Sequence, residues 1–152
     1  MAVSGYIEWK LEAAFVAVLA ARLDLAGVRV CRANDATEPG ADDMYPAIAV
    51  LARGAQDEDW SALADYQRVY MDCECKTYSR EDTTGSGLRD LVGGVRDAVR
   101  ATGFTARLTG AVPGLTVHGA VIDEPTYDGD GEDRVRSRTV TVTVHASARD
   151  IG

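Results

Sequence analysis

Cys73 and Cys75 are the first residues whose type and spacing suggest chemistry. Joined by Cys31, His118 or His145, they could offer the sulfur and nitrogen donors that zinc takes in tetrahedral sites. The second half of such a site, a further Cys-x-x-Cys or His-x-x-x-His, is missing. Alternate cysteines beside Val69 and Met71 read instead as small core residues on one face of a strand. The run Asp128-Gly-Asp130-Gly-Glu132-Asp133 spaces oxygen ligands as calcium loops do. Asp133 stands where such a loop needs Gly, and Thr139 where it needs Glu, so the run reads as an acidic hairpin tip.

Thr83-Thr84-Gly85-Ser86-Gly87 opens a helical pattern and could offer backbone N–H groups to a phosphate. It lacks the Lys-Ser/Thr of a P-loop and the third Gly of a dinucleotide fingerprint, and Ser86 is not in a nucleophile elbow. A turn that ends a strand and caps a helix accounts for it. His118 and His145 show no spacing to Ser, Cys or Asp that suggests a triad. The sequence therefore predicts a protein that is not an enzyme, with no cofactor and no metal. Arg134, Arg136 and Arg138 share strand parity with Val140, Val142 and Val144 and follow an acidic stretch. Two readings stand: a solvated hairpin whose charges neutralise one another, or an arm meeting a complementary surface on another subunit.

These residues must be positioned by an ordinary alternation of helices and strands. Residues 4–26 predict a helix whose apolar residues form too wide an arc for one packing face. Ile7, Leu11, Phe15, Val18 and Leu25 share one side, while Trp9, Val16, Leu19 and Leu23 spread onto other faces, with Trp9, Val16 and Leu23 the candidates for a second packing face, within the fold or against another subunit. Strands are predicted at 28–32, 45–53, 67–78, 115–123 and 134–146, and a second helix at 88–101. Residues 54–65, 108–114 and 124–133 read as connections. Gly93 and Gly94 would let the second helix lie close to a sheet or a neighbour. The expected fold is α+β: one domain over 1–152, with a mostly antiparallel sheet of four to five strands and two main helices packed on it.

Composition narrows the function classes. The chain has 152 residues, 46% of them apolar and 26% charged, as in a globular domain. The longest apolar run, Ala13–Ala21, is too short to span a membrane, and the N-terminus lacks the basic segment of a signal peptide. A net charge of −8 argues against a protein that grips nucleic acid. Three cysteines suit a reducing compartment better than a disulfide framework.

The order of elements resembles the tail-terminator, or tail-to-head joining, proteins of long-tailed bacteriophages and related phage-like particles. The resemblance is carried by the apolar N-terminal helix, Tyr45-Pro46-Ala-Ile-Ala-Val, the strand Val69-Tyr-Met-Asp-Cys-Glu-Cys-Lys-Thr-Tyr-Ser, the helix Leu88–Arg100 and the hairpin closing with Arg134–His145. It covers most of the chain as an arrangement of elements and includes no catalytic signature. It implies a structural virion protein, made in the bacterial host cytoplasm, that sits at the head-proximal end of the tail. Copies of it, as a hexamer, would form a ring that caps the tail tube, ends its polymerisation and meets the head-side connector or stopper protein. DNA would pass through without sequence-specific binding, since a ring of chains at −8 each repels phosphate. Trp9, Val16, Leu23, Arg134, Arg136 and Arg138 are the candidate subunit or tube contacts. The alternatives are another head–tail connector or stopper, a tail tube component, or a small cytosolic metal-binding protein or enzyme.

Overall fold

The computed structural model describes residues 3–22, 27–33, 46–57, 66–78, 82–123, 126–130 and 135–148. In chain order they form α1 (Val3–Ala20), β1 (Arg29–Arg32), β2 (Ala47–Asp57), β3 (Tyr66–Tyr78), α2 (Ser86–Arg100), α3 (Phe104–Ala111), β4 (Leu115–Ile122), β5 (Thr126–Asp130) and β6 (Val135–Ala148). The six strands make one sheet in the order β1-β2-β3-β6-β4, with β5 also on β6. Among the described residues only β1 and β2 run parallel; the other four pairings are antiparallel. The α+β architecture expected from the sequence is thus the one found.

Alternation along the strands decides which face is covered. Ile48, Val50 and Ala52 of β2 stand across from Cys75, Cys73 and Met71 of β3. Cys73, Met71 and Val69 in turn face Val140, Val142 and Val144 of β6. All of these are buried, and they join Ile7, Leu11, Phe15 and Leu19 of α1, Leu91 and Val95 of α2, and Phe104 and Leu108 of α3 in one core. All three helices therefore lie on the same face. The other face carries Arg53, Arg68, Tyr70, Asp72, Thr141 and Thr143, as an antiparallel sheet with one solvated side does. There Asp72 accepts from Arg53 Nε and Thr141 Oγ1, both at 2.8 Å, and the Arg53 and Arg68 guanidinium groups lie 5.7 and 5.8 Å from the Tyr70 ring centre.

Four boundaries differ from the sequence reading. α1 ends at Ala20, and residues 23–26 lie outside the described residues. β2 continues past Arg53 to Asp57 through a register shift between Ala52 and Ala55. The stretch read as a loop at 108–114 contains the end of a third helix: Gly103, at φ 87°, lets the chain turn after α2 and start α3. Phe104 and Leu108, four apart, then bury one face, and Phe104 packs edge-on against Phe15 at 5.6 Å. The acidic stretch 124–133 contains β5, because β6 is long enough to pair with β4 along one half and β5 along the other.

Two charged residues inside α1 are buried and fix its placement. Glu12, 5% exposed, accepts from Arg32 Nε of β1 at 3.0 Å and from the Ala52 N–H of β2 at 2.8 Å. Lys10, 4% exposed, donates through Nζ to the Pro113 carbonyl beyond α3. The wide apolar arc is thus used mainly within the fold, between the sheet on one side and α3 on the other. Removing the Glu12 carboxylate takes one acceptor from the Arg32 guanidinium and leaves the buried Ala52 N–H without the one it uses, so Glu12→Ala should cost about 3 kcal/mol in chemical denaturation. A methyl group on Gly93 would meet nothing within 4 Å, so Gly93→Ala should stabilise the protein by about 0.5–1 kcal/mol, read from the same curves.

Candidate functional site

The sheet separates the residues that a metal site would need to gather. Cys73 and Cys75 are fully buried on the helix-covered face. Cys31 pairs with Ala49, and His145 with Arg68, on the opposite face. His118 lies in the β4 bulge on that same face, where its ring contacts Ser147 Oγ at 3.2 Å. Among the described residues, no three of His, Cys, Asp and Glu converge in a way that could hold a metal ion. Burial pushes the Cys73 thiol far above its ordinary value, reinforced by Cys75 and Asp72. Burial, then Glu74, pushes Cys75 up to about 12. Both shifts favour the protonated thiol, the form that does not act as a nucleophile. The acidic run from Asp128 to Asp133 falls partly on β5 and partly outside the described residues.

The densest polar construction lies where β3 turns into α2. Asp82, 8% exposed, holds three donors through its carboxylate: Gly87 N–H at 2.8 Å on Oδ1, and Leu88 N–H and Thr77 Oγ1, both at 2.9 Å, on Oδ2. A carboxylate set on the first N–H groups of a helix satisfies donors that have no partner within it and complements the helix dipole. It also occupies N–H groups that a phosphate would need at this turn. The close approach requires Gly87, since a Cβ there would lie 3.1 Å from Asp82 Cγ. Beside this cap is a cavity of about 270 Å³ lined by Pro46, Thr77, Tyr78, Asp82, Ser86, Gly87 and Leu91.

Arg136 closes the same corner. It stands across from Thr77 on β3, and its Nε donates to the Asp82 carbonyl at 3.0 Å and one terminal nitrogen to the Thr83 carbonyl at 3.3 Å. Arg138 stands across from Cys75 and is half-buried. Strand parity places both arginines correctly, on the face that becomes apolar at Val140. It does not reveal that Arg136 is engaged inside its own chain, because the partners are backbone carbonyls, which carry no sequence signal. Arg134 and Leu23 lie outside the described residues. Trp9 is 48% exposed, and Val16 is partly buried against the core. The candidate contact residues therefore lie on different elements: Trp9 and Val16 are on α1, and Arg136 is at the start of β6, paired with Asp130 of β5.

Two outcomes follow from the site. With a thiol reagent at pH 8, Cys31 should react in the folded protein, while Cys73 and Cys75 should react only after denaturant is added. Burial pushes the Asp82 carboxyl up, but the Gly87 and Leu88 N–H groups, the Thr77 hydroxyl and Arg136 outweigh it and hold the group below its ordinary 3.8. Its ionised form thus contributes stability that is complete above that value and is lost as pH falls through the lower folded value. Asp82→Asn should destabilise at pH 7 by about 1–3 kcal/mol, and the deficit relative to wild type should shrink below pH 3.8 in urea titrations. No protein-family model matches this chain, and no curated protein sequence matches it.

Proposed function

We propose that the chain is a structural subunit of a long phage-like tail, copies of which close into a ring on the finished tube. The ring, read as a hexamer, would end tube growth and present a surface to the head-side connector or stopper. The observation that carries this reading is the outward side of α1. Trp9 is 48% exposed on a helix whose Ile7, Leu11, Phe15 and Leu19 are completely buried. Ala17 and Ala20 continue the same side as exposed apolar positions, with Ala13 half-buried between them and Trp9. An exposed tryptophan suits a contact surface, since Trp contributes large apolar area there. A net charge of −8 per chain suits a channel through which DNA moves without adhering. The α+β fold is also compatible with the arrangement of elements on which the resemblance rests.

A tube-component reading uses the same surface and differs in its product. Heterologous contacts that close give a ring, and those that do not close give an open polymer. A metal-binding or enzymatic reading relies on Cys73 and Cys75, which the sheet holds away from both histidines. Negative-stain electron microscopy of the purified protein should show discrete rings, and rings seated on tube ends when tail tubes are added. Long tubes from this chain alone would replace the terminator reading with the tube reading, and stoichiometric zinc would restore the metal reading. Trp9→Glu should leave circular dichroism unchanged and abolish the rings. Rings of unaltered size in that variant would remove α1 from the interface.

A further inference from the structure

We propose that Arg136 and Asp82 form a two-way latch that couples the start of β6, where it pairs with the end of β5, to the first turn of α2. The bonds form a closed circuit. Thr77 and Arg136 are cross-strand neighbours on β3 and β6. Thr77 reaches the Asp82 carboxylate, and Arg136 reaches the Asp82 and Thr83 carbonyls. The same carboxylate holds the Gly87 and Leu88 N–H groups that open α2. The turn itself is fastened to the strand end by the Asp82 N–H on the Tyr78 carbonyl at 2.9 Å. The Asp82 carbonyl also accepts from the Gly85 N–H at 3.3 Å, so it serves the turn and the hairpin at once. No part of this circuit can relax alone: loss of the carboxylate lets the turn rotate and moves the carbonyls that hold Arg136. Withdrawal of Arg136 leaves those carbonyls to water and loosens the turn that aims the carboxylate.

The latch differs from an ordinary helix cap in having an element of distant sequence in the circuit, 54 residues away along the chain. The cavity of about 270 Å³ lined in part by Asp82, Ser86 and Gly87 lies beside the turn that the circuit holds. Beside the Asp82 turn stand Arg136 from β6, Tyr78 and Thr77 from β3, and the Gly87 and Leu88 N–H groups of α2. The coupling is a property of the single chain and stands apart from the ring reading.

Residue-resolved amide exchange on the full chain tests it. Arg136→Gln should raise exchange at Gly87 and Leu88 by about tenfold more than at Val142 and Val144, which lie in the core of β6. Coupling is reciprocal, so Asp82→Asn should raise exchange at Ser137 and Thr139 by a similar excess. Arg96→Gln, on α2 away from the turn, should leave all of these amides at wild-type rates. If Arg136→Gln does not fold, Arg136→Lys should show the same pattern with a smaller excess. A response to Arg136→Gln confined to β5 and β6, or a uniform rise across the chain, overturns the latch.

Discussion

A carboxylate with 5% of its surface exposed must give its charge to donors at once, because an uncompensated buried ion costs several kcal/mol. Glu12 meets that demand from two different strands. Its first oxygen takes the Arg32 guanidinium at the end of β1. Its second takes the Ala52 N–H, at the place where the β2–β3 ladder shifts register. One side chain of α1 thereby fixes the helix against the sheet, holds the end of the parallel pair, and satisfies a backbone donor beside the irregularity. The apolar contacts around it supply most of the stabilisation, but apolar contacts are not directional. The charged anchor selects one arrangement of helix and strands from among those that bury similar area.

Asp82 applies the same device at the other end of the sheet. There the donors are the first N–H groups of α2 and a strand hydroxyl, and the burden on the carboxylate is shared by three bonds. The two corners differ in what they constrain. Glu12 orients a helix already buried by its own apolar residues. Asp82 begins a helix at a turn whose N-terminal residue, Gly85, adopts φ 81° and supplies no side-chain cap of its own. The cap must therefore come from three residues upstream, and the turn must be held from outside, which is the part Arg136 plays.

Strand alternation is legible in the sequence because it depends on side-chain type alone. Val69, Met71, Cys73 and Cys75 fall on one face of their strand, and Val140, Val142 and Val144 on one face of its partner, by residue order and nothing more. The α2 stripe of Leu88, Leu91, Val92, Val95 and Val99 is readable for the same reason. The elements that escape such a reading have weak or non-local signals. α3 has eight residues and two buried side chains, Phe104 and Leu108, with Gly110 inside it. β5 pairs through its backbone, in a segment whose acidic and glycine residues favour a turn. The Thr-Thr-Gly-Ser-Gly run reads as a turn that caps α2, where side-chain oxygens accept from the first N–H groups; only the position of Asp82 next to the run hints that the acceptor is its carboxylate. For the candidate site, parity separates the cysteines from the histidines once the strand pairing is known, and the pairing is not readable from one chain.

The exposure of Trp9 follows from the anchors of its helix. Successive residues of an α-helix are turned by about 100°, so burying Trp9 would require α1 to rotate by a large part of a turn. Full burial of so large a side chain would gain about 3 kcal/mol. The rotation would also withdraw Glu12 from Arg32 and the Ala52 N–H, and Lys10 from the Pro113 carbonyl. Breaking the Glu12–Arg32 pair alone costs about as much or more, at about 3–5 kcal/mol for a broken buried pair. It would further expose Leu11 and Phe15, which are now completely covered. The helix thus cannot relieve its own exposed tryptophan. The same bonds that seat α1 on the sheet hold an apolar side chain outward.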